Sequence, residues 1–316
     1  MSPLVSIIVP CFNAKKYIQQ AIESCFLQGY SNVEVIVVDD GSTDGSLSVV
    51  ENMREQYGPD RLRCSRKDNG GASSARNLGV QLSRGDYFLF LDADDLLKVG
   101  SIQSLLALVS NSKADMAVGG WTNFSEGVSH RVEHINLSRV YPNDAIANLL
   151  SLPPVLSAFL IKRNERVWNE EMVVWEVFDY VFSLLIEGFS VCLSTSSIVS
   201  IRQHSAPDRV SNKHDHFEPL KTGWLFANYK RSLRASNLLT EARAEVLDQK
   251  ILSNAYALFC KQRPTQAMSL CKELSWKDFH QYTWFKPTGI SGFTWLFGPE
   301  MGISTFHSLN RLLGRA

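Results

Sequence analysis

Nowhere in its 316 residues does the chain hold a run of about twenty apolar residues, because charges interrupt every candidate, so no helix is predicted to cross a bilayer. Paired cysteines are missing too. The six present (Cys11, Cys25, Cys64, Cys192, Cys260, Cys271) form no C-x-x-C motif, and several sit inside apolar patterns. That usage predicts buried thiols in a reducing compartment and no zinc site. Excess charge is absent, with 32 basic residues against 32 acidic ones. No global field then recruits nucleic acid, and any attraction to phosphate is local. Met1 leads straight into Val5-Ser6-Ile7-Ile8-Val9 without the basic start and small-residue cleavage site of a signal peptide. The expectation is a cytoplasmic protein without a leader, soluble or peripheral on the cytoplasmic face of a membrane. Finally, Cys11-Phe12-Asn13-Ala14 stands where a dinucleotide-binding G-x-G-x-x-G would follow the first strand, and no Walker lysine motif occurs. Nicotinamide oxidoreductases and P-loop enzymes are thereby disfavoured.

What is present is a clear alternation of two periods over the first 120 residues. The β-branched run Val5 to Val9 predicts a buried strand ending at Pro10. Asn13 is placed to cap a helix carrying Tyr17, Ile18, Ala21, Ile22 and Cys25, and Val33 to Val38 predicts a second buried strand. Asp44 is placed to cap a helix with Leu47, Val50 and Met53 inward. A short strand near Leu62 to Cys64 follows, then a helix with Ala72, Ala75, Leu78 and Leu82 inward, and a strand from Tyr87 to Leu91. A helix with Ile102, Leu105, Leu106 and Val109 leads to a strand near Met116 to Val118. Such alternation specifies an α/β fold with a mostly parallel, helix-covered central sheet, whose ligands bind at the carboxyl ends of the strands. From Trp121 the rhythm breaks into mixed short segments, and from Phe217 to Trp276 the pattern is helical. The organisation expected is two halves of one domain (1–120 and 121–215) followed by a helical C-terminal extension (216–316).

Polar or acidic clusters fall at three strand ends: Asn13, then Asp39-Asp40-Gly41-Ser42, then Asp92-Ala93-Asp94-Asp95. Parallel topology brings them to one edge. Carboxylates gathered there repel one another and are costly to desolvate, so a cation, hydrogen-bond donors or solvent must compensate them. Magnesium or manganese prefers oxygen ligands and is held by one or two carboxylates plus substrate phosphates. The alternative is that these aspartates are helix caps and turn formers. That alternative suits Asp44, whereas one cap does not require the three acids of Asp92 to Asp95.

The pieces from Val5 to Leu97 resemble, in order, the nucleotide-binding half of family 2 glycosyltransferases of the GT-A fold. Val5-Ser6-Ile7-Ile8-Val9-Pro10-Cys11-Phe12-Asn13 resembles the opening strand, and Val38-Asp39-Asp40-Gly41-Ser42-Thr43-Asp44 the second. Asn69-Gly70-Gly71-Ala72-Ser73-Ser74-Ala75-Arg76-Asn77 resembles the glycine-led helix, and Leu91-Asp92-Ala93-Asp94-Asp95 the DXD element. The resemblance implies a nucleotide-sugar site built from Pro10, Phe12, Asn13, Asp39, Asp40, Gly41, Asn69, Gly71, Arg76, Asp92, Ala93 and Asp94. Within it, Pro10 would line the pocket, Asp40 accept from the base edge, Arg76 contact the nucleotide and Asp92 touch ribose or sugar. Asp94 would hold Mn2+ or Mg2+ against the diphosphate. A surface ion pair is the competing role for Arg76.

The implied chemistry is inverting transfer of one sugar from a nucleotide-diphosphate donor, a UDP-sugar, to a saccharide or lipid-linked saccharide acceptor. It needs a carboxylate base to take the acceptor hydroxyl's proton. Trp175-Glu176-Val177-Phe178-Asp179-Tyr180 resembles the segment that supplies it, which in the family reads Glu-Asp. Here Val177 replaces the aspartate, leaving Glu176, favoured, or Asp179 as the base, and both also suit an acidic helix N-terminus. That departure keeps alive a catalytically impaired nucleotide-sugar-binding module acting as a partner or regulatory protein. Ile201-Arg202-Gln203-His204, with Ser211 beyond, resembles the family's Arg-x-His segment, which implies His204 as a second metal-side residue; a structural histidine is the alternative. The Gln-x-x-Arg-Trp signature of processive synthases is absent, which favours single transfers in cell-envelope or exopolysaccharide synthesis. Downstream, Trp224, Leu225 and Tyr229 with Lys230, Arg231 and Arg234, and the aromatics Trp284, Phe285, Phe293, Trp295 and Phe297, read as core or as peripheral contact with the inner membrane.

Overall fold

The run Val5–Cys11 forms strand β1, whose β-branched residues are buried on both faces as a central parallel strand requires. The computed structural model describes residues 2–125, 141, 144–151, 155–203 and 218–274, so His204, Ser211 and the aromatic tail from Trp284 lie outside the described residues. Two compact units result, Met1–Lys213 and His214–Ala316. In the first, β1 is followed by α1 (Ile18–Phe26), β2 (Val33–Asp39), α2 (Ser46–Tyr57), β3 (Leu62–Arg66), α3 (Ala72–Leu82), β4 (Tyr87–Phe90) and β5 (Leu96–Leu97). Then come α4 (Ser101–Ser112), β6 (Met116–Phe124), α5 (Ala145–Ser151), a 3-10 turn at Leu156–Ala158, β7 (Phe159–Lys162), α6 (Glu176–Ile186) and β8 (Val191–Arg202). Gly120, at the expected division between halves, lies inside β6.

Among the described residues, eight strands form one sheet in the order β3-β2-β1-β4-β7-β6-β8-β5, and four of its seven pairings are parallel. β7 runs antiparallel to both β4 and β6, so β6 runs with β4, and β8 pairs parallel with β6. The carboxyl ends of β1, β2, β4, β6 and β8 therefore share one edge with the start of β7. That edge collects Cys11, Asp39, Phe90, Phe124 and Arg202.

Two local readings are corrected. Asn13 does not cap the first helix: α1 begins at Ile18 without a side-chain cap, and the Asn13 side-chain oxygen accepts instead from the Thr43 N–H at 2.9 Å. With φ at +49°, Asn13 is bent to tie the loop after β1 to the loop after β2. The inward face of α3 is also not the apolar one expected. Ala72 is exposed, while Ser73, Arg76, Asn77 and Gly79 are buried with Ala75. Gly79 is required by contact, because a Cβ there would stand 2.3 Å from Ile8 Cγ2 on β1. Asp44 lies one residue ahead of Gly45, the cap residue of α2, and accepts from the Ser46 N–H at 2.9 Å and, through its other oxygen, from the Lys15 N–H at 2.9 Å.

In the second unit, α7 (Pro219–Ala235), α8 (Glu241–Cys260) and α9 (Pro264–Cys271) pack on one another. Lys230 is not part of an exposed basic face. It is buried and paired with the buried Asp248, and its Nζ also donates to the Glu273 carbonyl at 2.9 Å. Arg231 lies over the Trp224 ring at 5.4 Å and pairs with Glu273.

Because α3 carries Arg76 onto the functional edge, its seat on β1 is testable. Gly79→Ala is expected to cost about 1–3 kcal/mol through overpacking, read from urea unfolding. An unchanged midpoint and slope would show that α3 has room to move.

Candidate active site

Starting from β1, Pro10 is half-buried and Phe12 projects at 44% exposure, an exposed aromatic at the mouth of the shared strand edge. Burial pushes the neighbouring Cys11 thiol up to about 12, with the Asp39 charge adding to it, so Cys11 is no nucleophile. After β2, Asp39 is buried and accepts from the Ser42 N–H at 3.3 Å, with Arg66 Nε 3.5 Å from its other oxygen. Gly41 turns the chain at φ +80°, where Asn69 backbone nitrogen would meet a Cβ at 3.1 Å.

Asp40 is buried and engaged within the protein. Its Oδ1 accepts from Lys67 Nζ and the Gly70 N–H, both at 2.9 Å, and its Oδ2 from the Gly71 N–H at 2.7 Å. The two backbone donors lie just ahead of α3, Gly71 being its cap residue, so the carboxylate sits near the positive end of the helix dipole and ties the second strand end to the Gly70-Gly71 turn beside the exposed Asn69.

One turn into α3, Arg76 is only 4% exposed. Its Nη2 lies 3.3 Å from Asp92 Oδ1 and its Nη1 3.4 Å from Glu176 Oε1, residues 16 and 100 positions away in the chain. The guanidinium also stacks 4.8 Å above the Trp168 ring, which lies parallel to Tyr180 at 4.0 Å. Asn77 locks that tryptophan, accepting from the Trp168 N–H at 2.8 Å and donating to its carbonyl at 3.1 Å and to Glu170 at 2.8 Å. Arg76 Nε is buried and has no hydrogen-bond partner among the described residues.

The sequence-derived residues Arg76, Asp92 and Glu176 are thus brought together. Asp179 stands three residues further along α6, its N–H donating to the Trp175 carbonyl at 2.8 Å. Trp175, immediately before Glu176, holds φ at +67°, a conformation that costs a non-glycine residue about 1–3 kcal/mol and that clusters at functional sites. Val177, in the position expected for an aspartate, is half-buried. Burial raises the Glu176 carboxyl above its ordinary range; the Arg76 charge pulls it back down and the Asp92 charge pushes it up.

Ala93 and Asp95 are buried, while Asp94 is half-buried and the Asp92 side chain is 48% exposed. Two half-exposed carboxylates two residues apart are hard oxygen donors of the kind magnesium and manganese accept. No group of three or more His, Cys, Asp or Glu poised for a metal occurs among the described residues. The pair fits a hard cation held by one or two carboxylates. Periodicity could not have found Trp168, Asn77, Ser157, Lys67 or Arg202, since each reaches the site through a contact distant in sequence.

A family description, "Glycosyl transferase family 2", matches residues 6–167, just over half of the chain. The chain belongs to glycosyl transferase family 2. Among curated relatives, Streptococcus pneumoniae glycosyltransferase GlyG is 37% identical over 127 residues, covering 40% of this chain and 42% of its own length. The uncharacterized glycosyltransferase EpsJ of Bacillus subtilis is 31% identical over 182 residues, 58% of this chain and 48% of EpsJ. The match thus spans less than half the length of either relative. Among solved structures, S. aureus TarS 1–349 with UDP-GlcNAc superposes at a TM-score of 0.70 with 17% identity, covering 99% of this chain and 92% of that one. Mannosyltransferase PcManGT from Pyrobaculum calidifontis, with GDP-Man and Mn2+, gives 0.56 and 15%, covering 100% and 89%. The fold of this family 2 member is GT-A.

The Arg76 bridge fixes a titration. Glu176 is expected to hold its proton above the ordinary glutamate range in the free protein, followed by 13C NMR of labelled glutamate. Arg76→Met removes the lowering charge and should move that midpoint to higher pH, whereas Asp92→Asn removes a raising charge and should move it lower. Shifts of the opposite sign would sever the link between the three groups.

Proposed function

We propose that this chain is a glycosyltransferase that moves one sugar from a nucleotide-diphosphate donor to an acceptor hydroxyl with inversion. The observation that carries the reading is the Asp92–Arg76–Glu176 bridge at 3.3 and 3.4 Å, which joins the carboxylate we assign to the donor side to the half-buried one we assign as base. We take the donor to be a UDP-sugar, and TarS, solved with UDP-GlcNAc, supports that choice through shared fold. The acceptor is a saccharide or lipid-linked saccharide hydroxyl, in cell-envelope or exopolysaccharide synthesis. We place the enzyme in the cytoplasm with peripheral contact at the membrane's inner face. No described helix is long and apolar enough to cross a bilayer.

In this reading Pro10, Phe12, Asn13, Asp39, Gly41, Asn69 and Gly71 line the nucleotide end. Asp40 shapes that end by fixing the glycine turn and offers the base edge the remaining lone pair of Oδ2. Ala93 leaves room for the sugar between Asp92 and Asp94. Asp94, with Asp92 nearby and His204 from beyond the described residues, would hold Mn2+ or Mg2+, which supplies charge neutralisation on the departing diphosphate. Glu176 removes the acceptor hydroxyl's proton as its oxygen attacks, and burial, by raising its proton affinity, makes it the stronger base. Arg76 opposes that rise. Asp179 is the other candidate base. The rival reading, a nucleotide-sugar-binding module without turnover, rests on Val177.

The test is nucleoside diphosphate release from UDP-, GDP- and dTDP-sugars with Mn2+ and a panel of saccharide acceptors. Glu176→Gln is expected to keep donor affinity and lower turnover about 10²–10⁴-fold, the range of a lost general base, and Asp94→Asn to abolish the metal requirement together with most activity. Tight, metal-dependent donor binding without turnover by the wild-type chain would favour the binding module.

A further inference from the structure

The acidic segment after β4 is held in shape by a strand that arrives about a hundred residues later. Arg202, the last residue of β8, is buried at 3% exposure where the strand ends converge. Its Nε donates to the Asp94 carbonyl oxygen at 2.9 Å and its Nη2 to Gln20 Oε1 at 2.6 Å. The guanidinium carbon lies 4.9 Å from the Tyr17 ring centroid and 4.6 Å from that of Phe124, so α1's cap residue and the end of β6 sandwich it. The Arg202 backbone N–H donates to Asp95 Oδ1 at 3.0 Å. The other Asp95 oxygen accepts from Ser157 Oγ at 3.4 Å, and that hydroxyl accepts from the Asp92 N–H at 3.4 Å.

These bonds converge on main chain. An amide plane whose carbonyl oxygen is fixed cannot rotate, so the bond to the Asp94 carbonyl restrains the backbone torsion that aims the Asp94 side chain. Asp95 anchors the next residue from the opposite side, and the segment runs directly into β5, which pairs with β8 at Leu96↔Ser200 and Leu97↔Val199. Asp94 and Asp95 thus each receive a hydrogen bond from Arg202, at the end of one strand, while Asp94 itself stays half-exposed.

We propose that Arg202 is the positioning residue for Asp94: it presents the carboxylate already oriented to the cation and diphosphate, so that binding them costs little ordering of the loop. The proposal rests on the reading of Asp94 as the metal-side carboxylate. A planar fork clamped between two rings is needed for it. Lysine supplies the charge without that geometry, so field and orientation can be separated.

The test is Mn2+ affinity in the presence of UDP, read from the electron paramagnetic resonance of free Mn2+, alongside UDP affinity without metal and hydrogen exchange of the 92–97 amides in the metal-free protein. Arg202→Lys and Arg202→Met are both expected to weaken Mn2+ by about 10–100-fold, as loss of a group orienting a ligand does. Both should speed exchange at 94–97 and leave metal-free UDP affinity unchanged. Gln20→Ala, at an exposed position, loosens the far end of the same guanidinium and should weaken Mn2+ in the same direction by a smaller factor. Full Mn2+ affinity in Arg202→Lys would show that charge alone acts and overturn the proposal. So would a loss of metal-free UDP affinity equal to the loss of Mn2+ affinity, or an unchanged Gln20→Ala should the Arg202 variants fail to fold. Asp94→Asn separates the two readings: Mn2+ affinity unaffected by it sinks the metal-side role itself, whereas a loss there with none in the Arg202 variants sinks only the positioning role.

Discussion

A guanidinium sealed from water cannot shed its proton, so Arg76 carries a full positive charge at 4% exposure and the surrounding structure has to compensate it. Asp92 and Glu176 do so at its two terminal nitrogens, and the Trp168 ring covers it. Each neighbour depends on a different element: α3 must sit close on β1, the segment after β4 must turn at Asp92, and α6 must begin at Glu176. Breaking the ion pairs strands a buried charge, which costs about 3–5 kcal/mol where such pairs have been dissected. The same compensation serves the proposed chemistry, because Arg76 opposes the burial that raises Glu176. The Trp168 ring, stacked on Tyr180 and pinned by Asn77, covers the guanidinium at 4.8 Å and helps exclude water from it.

The sheet makes this meeting possible. Parallel pairing of β1 with β2 and β4 delivers their following loops to one edge, and the antiparallel strand β7 between β4 and β6 brings β6 and β8 to that edge as well. Two halves of one sheet thereby contribute facing walls. The first supplies turns rich in glycine and aspartate, and the second supplies Arg202.

Much of the first wall was legible because its signals are local. A β-branched run, a polar turn and a helix repeat within about thirty residues, and the order of the motifs from Val5 to Leu97 carried the family. The second wall was legible only through short motifs, at Glu176 and Asp179 and in the segment from Ile201 to His204, which named the histidine and not the role of Arg202. Trp168, Ser157 and Arg202 act through partners 62 to 182 residues away, for which no spacing rule exists. Two errors have the same origin. Asn13 was assigned to the helix that follows it although its side chain bonds across to Thr43, and α3 was oriented by its apolar residues although its buried face is polar. Tertiary partners outweighed local preference at both sites, each of them beside the proposed donor site.

The most direct test is a crystal structure of the chain with Mn2+ and a non-transferable UDP-sugar. The account predicts the diphosphate at Asp94, the sugar beside Asp92, and the Glu176 carboxylate facing the anomeric carbon from the side opposite the leaving group, with Arg76 still touching both acids. A diphosphate seated away from Asp94, or Glu176 on the leaving-group side of the sugar, would contradict it.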